Sequence, residues 1–269
     1  MPSKYLSKLQ GKSVLLVGGT TGIGYGIAEA CLEFGAKVVV ASRSADKVTA
    51  AVDSLKTSYP EHAANVRGHT VDLNTLASDD VEKQLVALFD FATDKGANPL
   101  DHVVETAGDL QLAGKLGLDT ITTDLMRQAG AVRLAGVVLL AKVAARYLHK
   151  ASTSSFTMTS GALIYKPRPG FGAFVGISGG KEPLTRGLAV DLAPIRVNLV
   201  SPGAIETELL YSTIPQGMKR EELAALYKKS SLLGKLGSVE DVVESYLGII
   251  KNSFQTGTVV HSEGGYLLI

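Results

Sequence analysis

Short apolar runs alternate along this chain with amphipathic segments of helical spacing. The apolar runs have the length and branched composition of strands buried on both faces, and they cover residues 13–17, 37–41, 66–71, 102–106, 155–159, 195–200 and 257–261. The amphipathic spacing predicts helices over about 25–34, 45–56, 80–93, 121–149 with a break near Gly130, 173–192, 219–229 and 239–251. This order requires parallel strands with helices on both faces, so the sequence predicts an α/β, doubly wound, seven-stranded sheet.

A glycine-rich turn joins the first predicted strand to the first helix. Gly18, Gly22 and Gly24 occupy this turn. Glycines let the backbone approach a pyrophosphate closely, and a helix N-terminus offers free N–H groups and partial positive charge. The pattern therefore predicts a Rossmann-type nucleotide cradle, with an ordinary strand-to-helix turn as the simpler alternative.

The end of the second strand indicates which nucleotide is bound. Dinucleotide folds that bind NAD place a carboxylate there, on the ribose 2′-hydroxyl. This chain instead has Ser42, Arg43 and Ser44, which suit a 2′-phosphate. The sequence therefore predicts NADP(H), although Arg43 beside a capping serine could also be a solvated surface residue.

Composition limits the partners and the compartment. The 269 residues are 45% hydrophobic, and the formal net charge of +1 gives no support for nucleic-acid or membrane partners. The apolar run 134–141 is too short to span a bilayer, and no signal segment precedes it. The lone Cys31 fits a reducing, cytoplasmic location, and the five histidines have no metal-ligand spacing. We expect one domain over residues 1–269, a small-molecule substrate, no metal, and a homo-oligomer, either a dimer or a tetramer.

Several motifs occur in the order typical of one enzyme family. They are Gly18-Gly19-Thr20-Thr21-Gly22-Ile23-Gly24, Asp72-Leu73, Thr106-Ala107-Gly108, Pro202-Gly203-Ala204-Ile205-Glu206-Thr207 and Glu263-Gly264-Gly265. In these motifs the chain resembles the short-chain dehydrogenases/reductases over nearly its whole length. The resemblance and the second-strand residues assign cofactor contacts to Gly18, Thr20, Thr21, Gly22, Ile23, Gly24, Ser42, Arg43, Ser44, Asp72, Leu73, Thr106, Ala107, Gly108, Pro202, Gly203, Ile205 and Thr207.

The acid–base half of the family pattern is altered. The family uses a Tyr-x-x-x-Lys pair on the helix after the fifth strand. An ungapped alignment puts Phe174 and Ser178 at these two positions, and an alternative register puts Ile177 and Lys181 there; neither register contains a tyrosine. Among the other catalytic positions of the family, only the serine is kept, as Ser160. Arg133 replaces the asparagine, and Glu105 replaces the first residue of Asn-Asn-Ala-Gly.

A divergent branch of the family shows a similar pattern. It includes fungal biosynthetic proteins of the prenylated indole alkaloid type, some of which reduce an iminium and guide a Diels–Alder cyclisation. That branch carries an arginine at the position of Arg133 and a Pro-Asp-Pro-Gly-Trp loop. Here the loop is Pro167-Arg168-Pro169-Gly170-Phe171, so Arg168 stands in place of the aspartate. Tyr165 and Tyr211 are candidate replacements for the lost acid, although surface or core packing is the role that the sequence favours for them.

The resemblance implies a reductase with altered catalysis. We expect an NADPH-dependent enzyme that acts on an imine, an iminium or an activated carbonyl of a secondary metabolite, coupled to cyclisation, with a lid over residues 204–218. Arg133, Ser160, Glu105 and Arg168 are the candidate catalytic residues. Glu105 or Asp109 would attract a cationic substrate and Arg133 would hold that carboxylate, unless Glu105 and Arg133 form only a structural ion pair. A non-redox cyclase or isomerase and a cofactor-binding protein without catalysis remain the alternatives.

Overall fold

The computed structural model describes residues 4–76, 80–108, 115–214 and 216–269. Within these residues seven parallel strands form one sheet in the order β3-β2-β1-β4-β5-β6-β7. The strands are β1 (Ser13–Val17), β2 (Lys37–Ser42), β3 (Val66–Thr70), β4 (His102–Glu105), β5 (Ser155–Thr159), β6 (Arg196–Pro202) and β7 (Val259–Ser262). The strand order reverses between β1 and β4, which is where sheets of this kind bind ligands. The predicted α/β class, the Rossmann-type topology and the number of strands are confirmed.

Helices cover both faces of the sheet. In the described residues they are α1 (Gly22–Glu33), α2 (Ala45–Ser58), α3 (Val81–Thr93), α4 (Thr123–Gly130), α5 (Val137–Tyr147), α6 (Gly172–Gly179), α7 (Lys181–Asp191), α8 (Glu208–Tyr211), α9 (Arg220–Lys229) and α10 (Val239–Lys251). Alternate residues of β1 enter opposite cores: Val14 and Leu16 pack on one face, and Leu15 and Val17 on the other. Burial on both faces explains why this strand is apolar throughout.

Two predicted helices are interrupted. A π-helical turn, Ala131–Gly136, separates α4 from α5, close to the break expected at Gly130. The predicted single helix over 173–192 is wrong, because it divides at Gly180 into α6 and α7. Pro183 lies in the first turn of α7, where a missing N–H is tolerated, whereas inside a continuous helix its ring would clash with the carbonyl of Gly179.

The helical run Thr123–Tyr147 is the one segment of the described residues that is long and apolar enough to cross a bilayer by length and composition. Its most apolar window is 44% buried in the structure. Val137, Leu140 and Ala141 belong to the core that packs on the sheet, which accounts for part of this apolar character. The expected absence of a membrane partner stays a prediction.

Candidate cofactor cradle and active site

The glycine turn after β1 is packed so closely that side chains are excluded. Gly18 has φ +94°, and a Cβ added there would lie 2.7 Å from the Thr106 Oγ1 atom and from the Ala107 nitrogen. A Cβ on Gly24 would collide with the carbonyl oxygen of Gly18. Thr106 Oγ1 also donates a hydrogen bond to that carbonyl, at 3.1 Å. The cradle is therefore closed on one side by the segment that follows β4, and its bare backbone suits a pyrophosphate.

Other predicted cofactor contacts lie along the same edge of the sheet. Thr21 is the N-cap residue of α1, and the Thr207 side chain lies 3.3 Å from where a Cβ on Gly22 would be. The remaining candidates follow the carboxyl ends of their strands: Ser42, Arg43 and Ser44 after β2; Asp72 and Leu73 after β3; Gly108 after β4; Pro202, Gly203 and Ile205 at the end of β6. The fold gathers these residues, but their contacts with a cofactor stay predictions.

The side chains after β2 have different surroundings. Arg43 is exposed, whereas Ser44 caps α2 by accepting a hydrogen bond from the Lys47 nitrogen at 3.4 Å. After the neighbouring strand β3, Leu73 is buried in the core and Asp72 accepts a hydrogen bond from the Asn74 nitrogen. Arg43 is thus an exposed cation at the end of β2, and its contact with a 2′-phosphate stays a prediction.

A buried ion pair lies at the ends of β4 and β5. Lys181, the first residue of α7, places its Nζ atom 2.7 Å from Glu105 Oε2 and donates to the Thr159 carbonyl at 2.9 Å. Both side chains are withdrawn from solvent, with exposed fractions of 2% for Lys181 and 0% for Glu105. Desolvation lowers the pKa of Lys181, and the attraction of Glu105 opposes this shift.

Thr159 connects this ion pair to a buried phenol. Its Oγ1 atom donates to the Glu105 carbonyl at 2.7 Å, so the Tyr246 hydroxyl, also 2.7 Å away, donates to Thr159. Tyr246 lies on α10, and burial raises its pKa. Four elements, β4, β5, α7 and α10, therefore meet in one polar cluster beneath the cofactor edge.

The cluster corrects one expectation from the sequence and bears on another. The buried partner of Glu105 is Lys181 rather than Arg133, because α7 starts where its first side chain reaches the end of β4. A buried carboxylate that is already paired has little charge left to offer a substrate. The pairing therefore argues against Glu105 as a catalytic counter-charge, and that role stays a prediction. The alternative carboxylate, Asp109, lies outside the described residues.

The structure places residues of both registers of the altered Tyr-x-x-x-Lys pair beside the site. In the alternative register, Lys181 takes the lysine position and its amine bonds to Glu105, with Ile177 four residues before it. Phe174, the other candidate for the tyrosine position, packs with Phe171, and its ring lies 4.9 Å from the Arg133 guanidinium carbon. Neither register supplies a tyrosine, so the family's phenol is missing from both.

Arg133 lies beside the segment that follows β4, and Ser160 directly follows β5. The Arg133 guanidinium lies against Gly108, about 3.4 Å from where a Cβ on that glycine would be, and rests over the Phe174 ring. Ser160 follows β5, and its nitrogen donates to the Val200 carbonyl at 2.9 Å. Its Oγ atom is buried and has no hydrogen-bond partner among the described residues. A cation held by backbone and ring, with a hydroxyl whose bonding is unsatisfied, can bind a substrate oxygen.

Arg168 belongs to a different pocket. It stacks on Tyr227 of α9 at 4.9 Å, and it borders a pocket of about 530 Å³ whose wall also includes Lys166, Leu226, Lys229 and Tyr266. None of the lining residues is Arg133, Ser160 or a predicted cofactor contact. The structure therefore does not bring Arg168 together with the other candidate catalytic residues.

The two tyrosines proposed as replacement acids have other partners. Tyr165 packs edge-on against His261, and burial followed by a hydrogen bond with Glu182 raises its pKa. Tyr211 donates to Glu206 at 2.7 Å, and this bond raises its pKa. Both shifts make proton donation harder. Tyr211 lies on α8 inside the predicted lid, whose residue 215 is outside the described residues.

Sequence reasoning gave Lys181 only as the lysine of the alternative register, and it missed Tyr246 altogether. A lysine among otherwise apolar and small residues, four positions after Ile177, was a usable signal for the first. Tyr246 gave no such signal, because it occupies an apolar face of α10 like any core residue.

Comparison with known proteins identifies the family. The family model for the SDR-like Rossmann domain matches residues 5–269. The short-chain dehydrogenase/reductase ucsE of an Acremonium species is 38% identical over 270 residues, covering 100% of both chains. This chain therefore belongs to the short-chain dehydrogenase/reductase family, and the sequence-based resemblance is confirmed.

Two further relatives carry names that state a more specific activity. The structure of the MalC reductase/Diels–Alderase from Malbranchea aurantiaca superimposes with a TM-score of 0.89 at 35% identity, covering 100% of both chains. The NADP-dependent (R)-specific alcohol dehydrogenase of Lentilactobacillus kefiri is 28% identical over 267 residues, covering 96% of this chain and 98% of the relative.

Proposed function

We propose that this protein is an NADP(H)-dependent reductase that acts on an activated carbonyl of a secondary metabolite. The observation that carries the proposal is the position of Arg133, whose guanidinium lies against Gly108 at the edge of the cradle. Hydride addition to a carbonyl places negative charge on oxygen, and a fixed cation beside that oxygen stabilises the transition state. Bound NADPH supplies the hydride in this scheme.

The surroundings of Arg133 explain why the carbonyl must be activated. Simple ketones give a localised alkoxide that needs a proton donor, and the family's tyrosine position holds Phe174 or, in the alternative register, Ile177; neither side chain donates a proton. A conjugated carbonyl spreads the charge as an enolate, which a guanidinium and the Ser160 hydroxyl can stabilise without immediate protonation. The site therefore favours a substrate whose product anion is already delocalised.

Iminium reduction coupled to cyclisation is the second candidate. Its support is the full-length similarity to the MalC reductase/Diels–Alderase. A cationic substrate needs no proton when hydride arrives, so the missing tyrosine would cost little. Against it, the Glu105 carboxylate is already paired with Lys181 and has little charge left for a cationic substrate.

One assay separates the two candidates. NADPH oxidation is followed with a saturated ketone, a conjugated ketone and a cyclic iminium of matched shape, in the parent protein, Arg133→Ala and Arg133→Lys. We expect the conjugated ketone to react fastest, Arg133→Ala to lose on the order of 100-fold and Arg133→Lys to recover part of that loss. If the iminium reacts fastest and Arg133→Ala keeps its rate, the second candidate replaces the first.

NADP(H) use is tested separately by titration. Arg43 is exposed at the end of β2, and a charge-assisted contact with the 2′-phosphate predicts that Arg43→Ala weakens NADPH binding by about tenfold or more while NADH binding stays constant. The name of the Lentilactobacillus relative supports the same cofactor. Lys47→Ala, which removes an exposed cation one turn further on, is the matched control. Equal affinity of the parent protein for NADPH and NADH contradicts the assignment.

A further inference from the structure

The Lys181–Glu105 ion pair lies directly behind the wall of the cradle. Glu105 precedes Thr106, whose hydroxyl bonds to Gly18, and Gly108 lies two residues further on against Arg133. Thr159, which accepts from Lys181, immediately precedes Ser160. Glu105 is therefore adjacent in the chain to Thr106, and Thr159, which bonds to Lys181, is adjacent to Ser160. Thr106 and Ser160 border the expected nicotinamide end.

The pair is closed to solvent and balanced in charge. Lys181 is 2% exposed and Glu105 is 0% exposed, and 2.7 Å separates their charged atoms. Coulomb interactions extend further in such an environment than in water, because no solvent dipoles screen them. A net charge left in this position would act on any charged group bound on the other side of the wall.

We propose that the Lys181–Glu105 pair sets the relative affinity of the site for the oxidised and reduced forms of the cofactor. This inference rests on the proposed binding of NADP(H). The two forms differ by one positive charge on the nicotinamide ring, and a balanced pair favours neither. Without Lys181 the Glu105 carboxylate attracts the cationic ring of NADP⁺; without Glu105 the Lys181 ammonium repels it.

A purely structural ion pair predicts a different result. If Lys181 only fastens α7 to β4 and β5, its loss distorts the cradle and weakens the binding of NADP⁺ and NADPH by the same factor. The ratio of the two dissociation constants, Kd(NADP⁺)/Kd(NADPH), is therefore the measurement that separates the two roles.

The experiment determines this ratio by titration at pH 6, 7.5 and 9. In Lys181→Met we expect the ratio to fall about tenfold, because the Glu105 carboxylate is left without its cation. The ionisable groups around the pair are Tyr246 on α10, which faces Glu105, and Arg133 on the π-helical turn, whose charge acts on Lys181. Glu105→Gln should shift the ratio in the opposite direction, most clearly at pH 6, the lowest of the three, because desolvation lowers the pKa of Lys181.

Three further variants make the test independent of folding defects. Lys181→Arg keeps the cation, and the double variant Glu105→Gln/Lys181→Met removes both charges, so both should show the parental ratio. Lys12→Met removes a lysine from the ion pair at the amino end of β4 and should leave the ratio unchanged. An unchanged ratio in both single variants at every pH overturns the inference. Failure of the parent protein to bind either cofactor form overturns the proposed function instead.

Discussion

The two ends of strand β4 carry ion pairs of the same kind in different surroundings. At the amino end, Lys12 lies 2.8 Å from Asp101, with 37% and 11% of their side chains exposed. At the carboxyl end, Lys181 lies 2.7 Å from Glu105, with 2% and 0% exposed. Because the distances are nearly equal, the difference between the pairs is solvent: water screens the first pair and is absent from the second.

The carboxylates also differ in how completely they are bonded. Asp101 uses both oxygens, one for Lys12 and one for the Ser13 nitrogen at 2.9 Å. Glu105 gives one oxygen to Lys181, and its Oε1 atom has no partner among the described residues. An incompletely satisfied buried charge is a feature that proteins tolerate mainly at functional sites. The comparison indicates that the amino end of β4 serves stability, whereas the carboxyl end serves the site.

The largest expected effect on stability comes from replacing the lysine of each ion pair in turn. Lys181→Met leaves a buried carboxylate without its cation, so we expect the free energy of unfolding to fall by about 3–5 kcal/mol. Lys12→Met removes a partly exposed pair and should cost less than about 1 kcal/mol. Urea denaturation of both variants measures the difference. Similar losses would show that burial does not distinguish the two ends.

The amino end should have its own dependence on pH. His102 is buried beside Asp101, its Nδ1 atom lies 2.9 Å from Ser155 Oγ, and desolvation lowers its pKa to about 3. The unfolded chain therefore binds a proton below about pH 6.5 that the folded protein does not bind. Stability is present above pH 6.5 and is lost as the pH falls, by about 2 kcal/mol at pH 5.

Urea denaturation at pH 7 and pH 5 measures this loss. His102→Gln removes the titrating group and should flatten the profile over this range, whereas replacement of the exposed His149 by glutamine should leave the slope as in the parent. The same slope in His102→Gln and in the parent would assign the acid sensitivity to other groups.

The smallest expected effect concerns the hydrogen bond between Tyr246 and Thr159 at the carboxyl end of β4. Tyr246→Phe removes the donor to Thr159 while the ring stays packed, so we expect a loss of about 1 kcal/mol in the free energy of unfolding. Tyr25→Phe is the matched control, because its hydroxyl bonds to Ser54 at 2.8 Å on the surface and its loss should be close to zero. A Tyr246→Phe variant as stable as the parent would remove the phenol from the polar cluster.

Local patterns in the sequence determined most of the fold and the cofactor cradle. Strands buried on both faces are apolar throughout, and the glycine turn after β1 lies where the sequence predicts it. Both features could be predicted because each is determined by residues that are close together in the chain. The break at Gly180 was also encoded locally, by Pro183 four residues after Gly179. The glycine motif and the later motifs that follow it in order along the chain were sufficient to identify the family.

The tertiary structure alone decided which charges meet. Lys181 lies 76 residues after Glu105, and Tyr246 lies 87 residues after Thr159, so no periodicity along the chain links either pair. Sequence reasoning matched Glu105 with Arg133 because both departed from the family pattern. The start of α7 at Lys181 instead placed an ammonium at the ends of β4 and β5. The physical reason is that a buried carboxylate pairs with whichever cation the packed helices bring within reach, and that depends on the assembled fold rather than on the residues beside it.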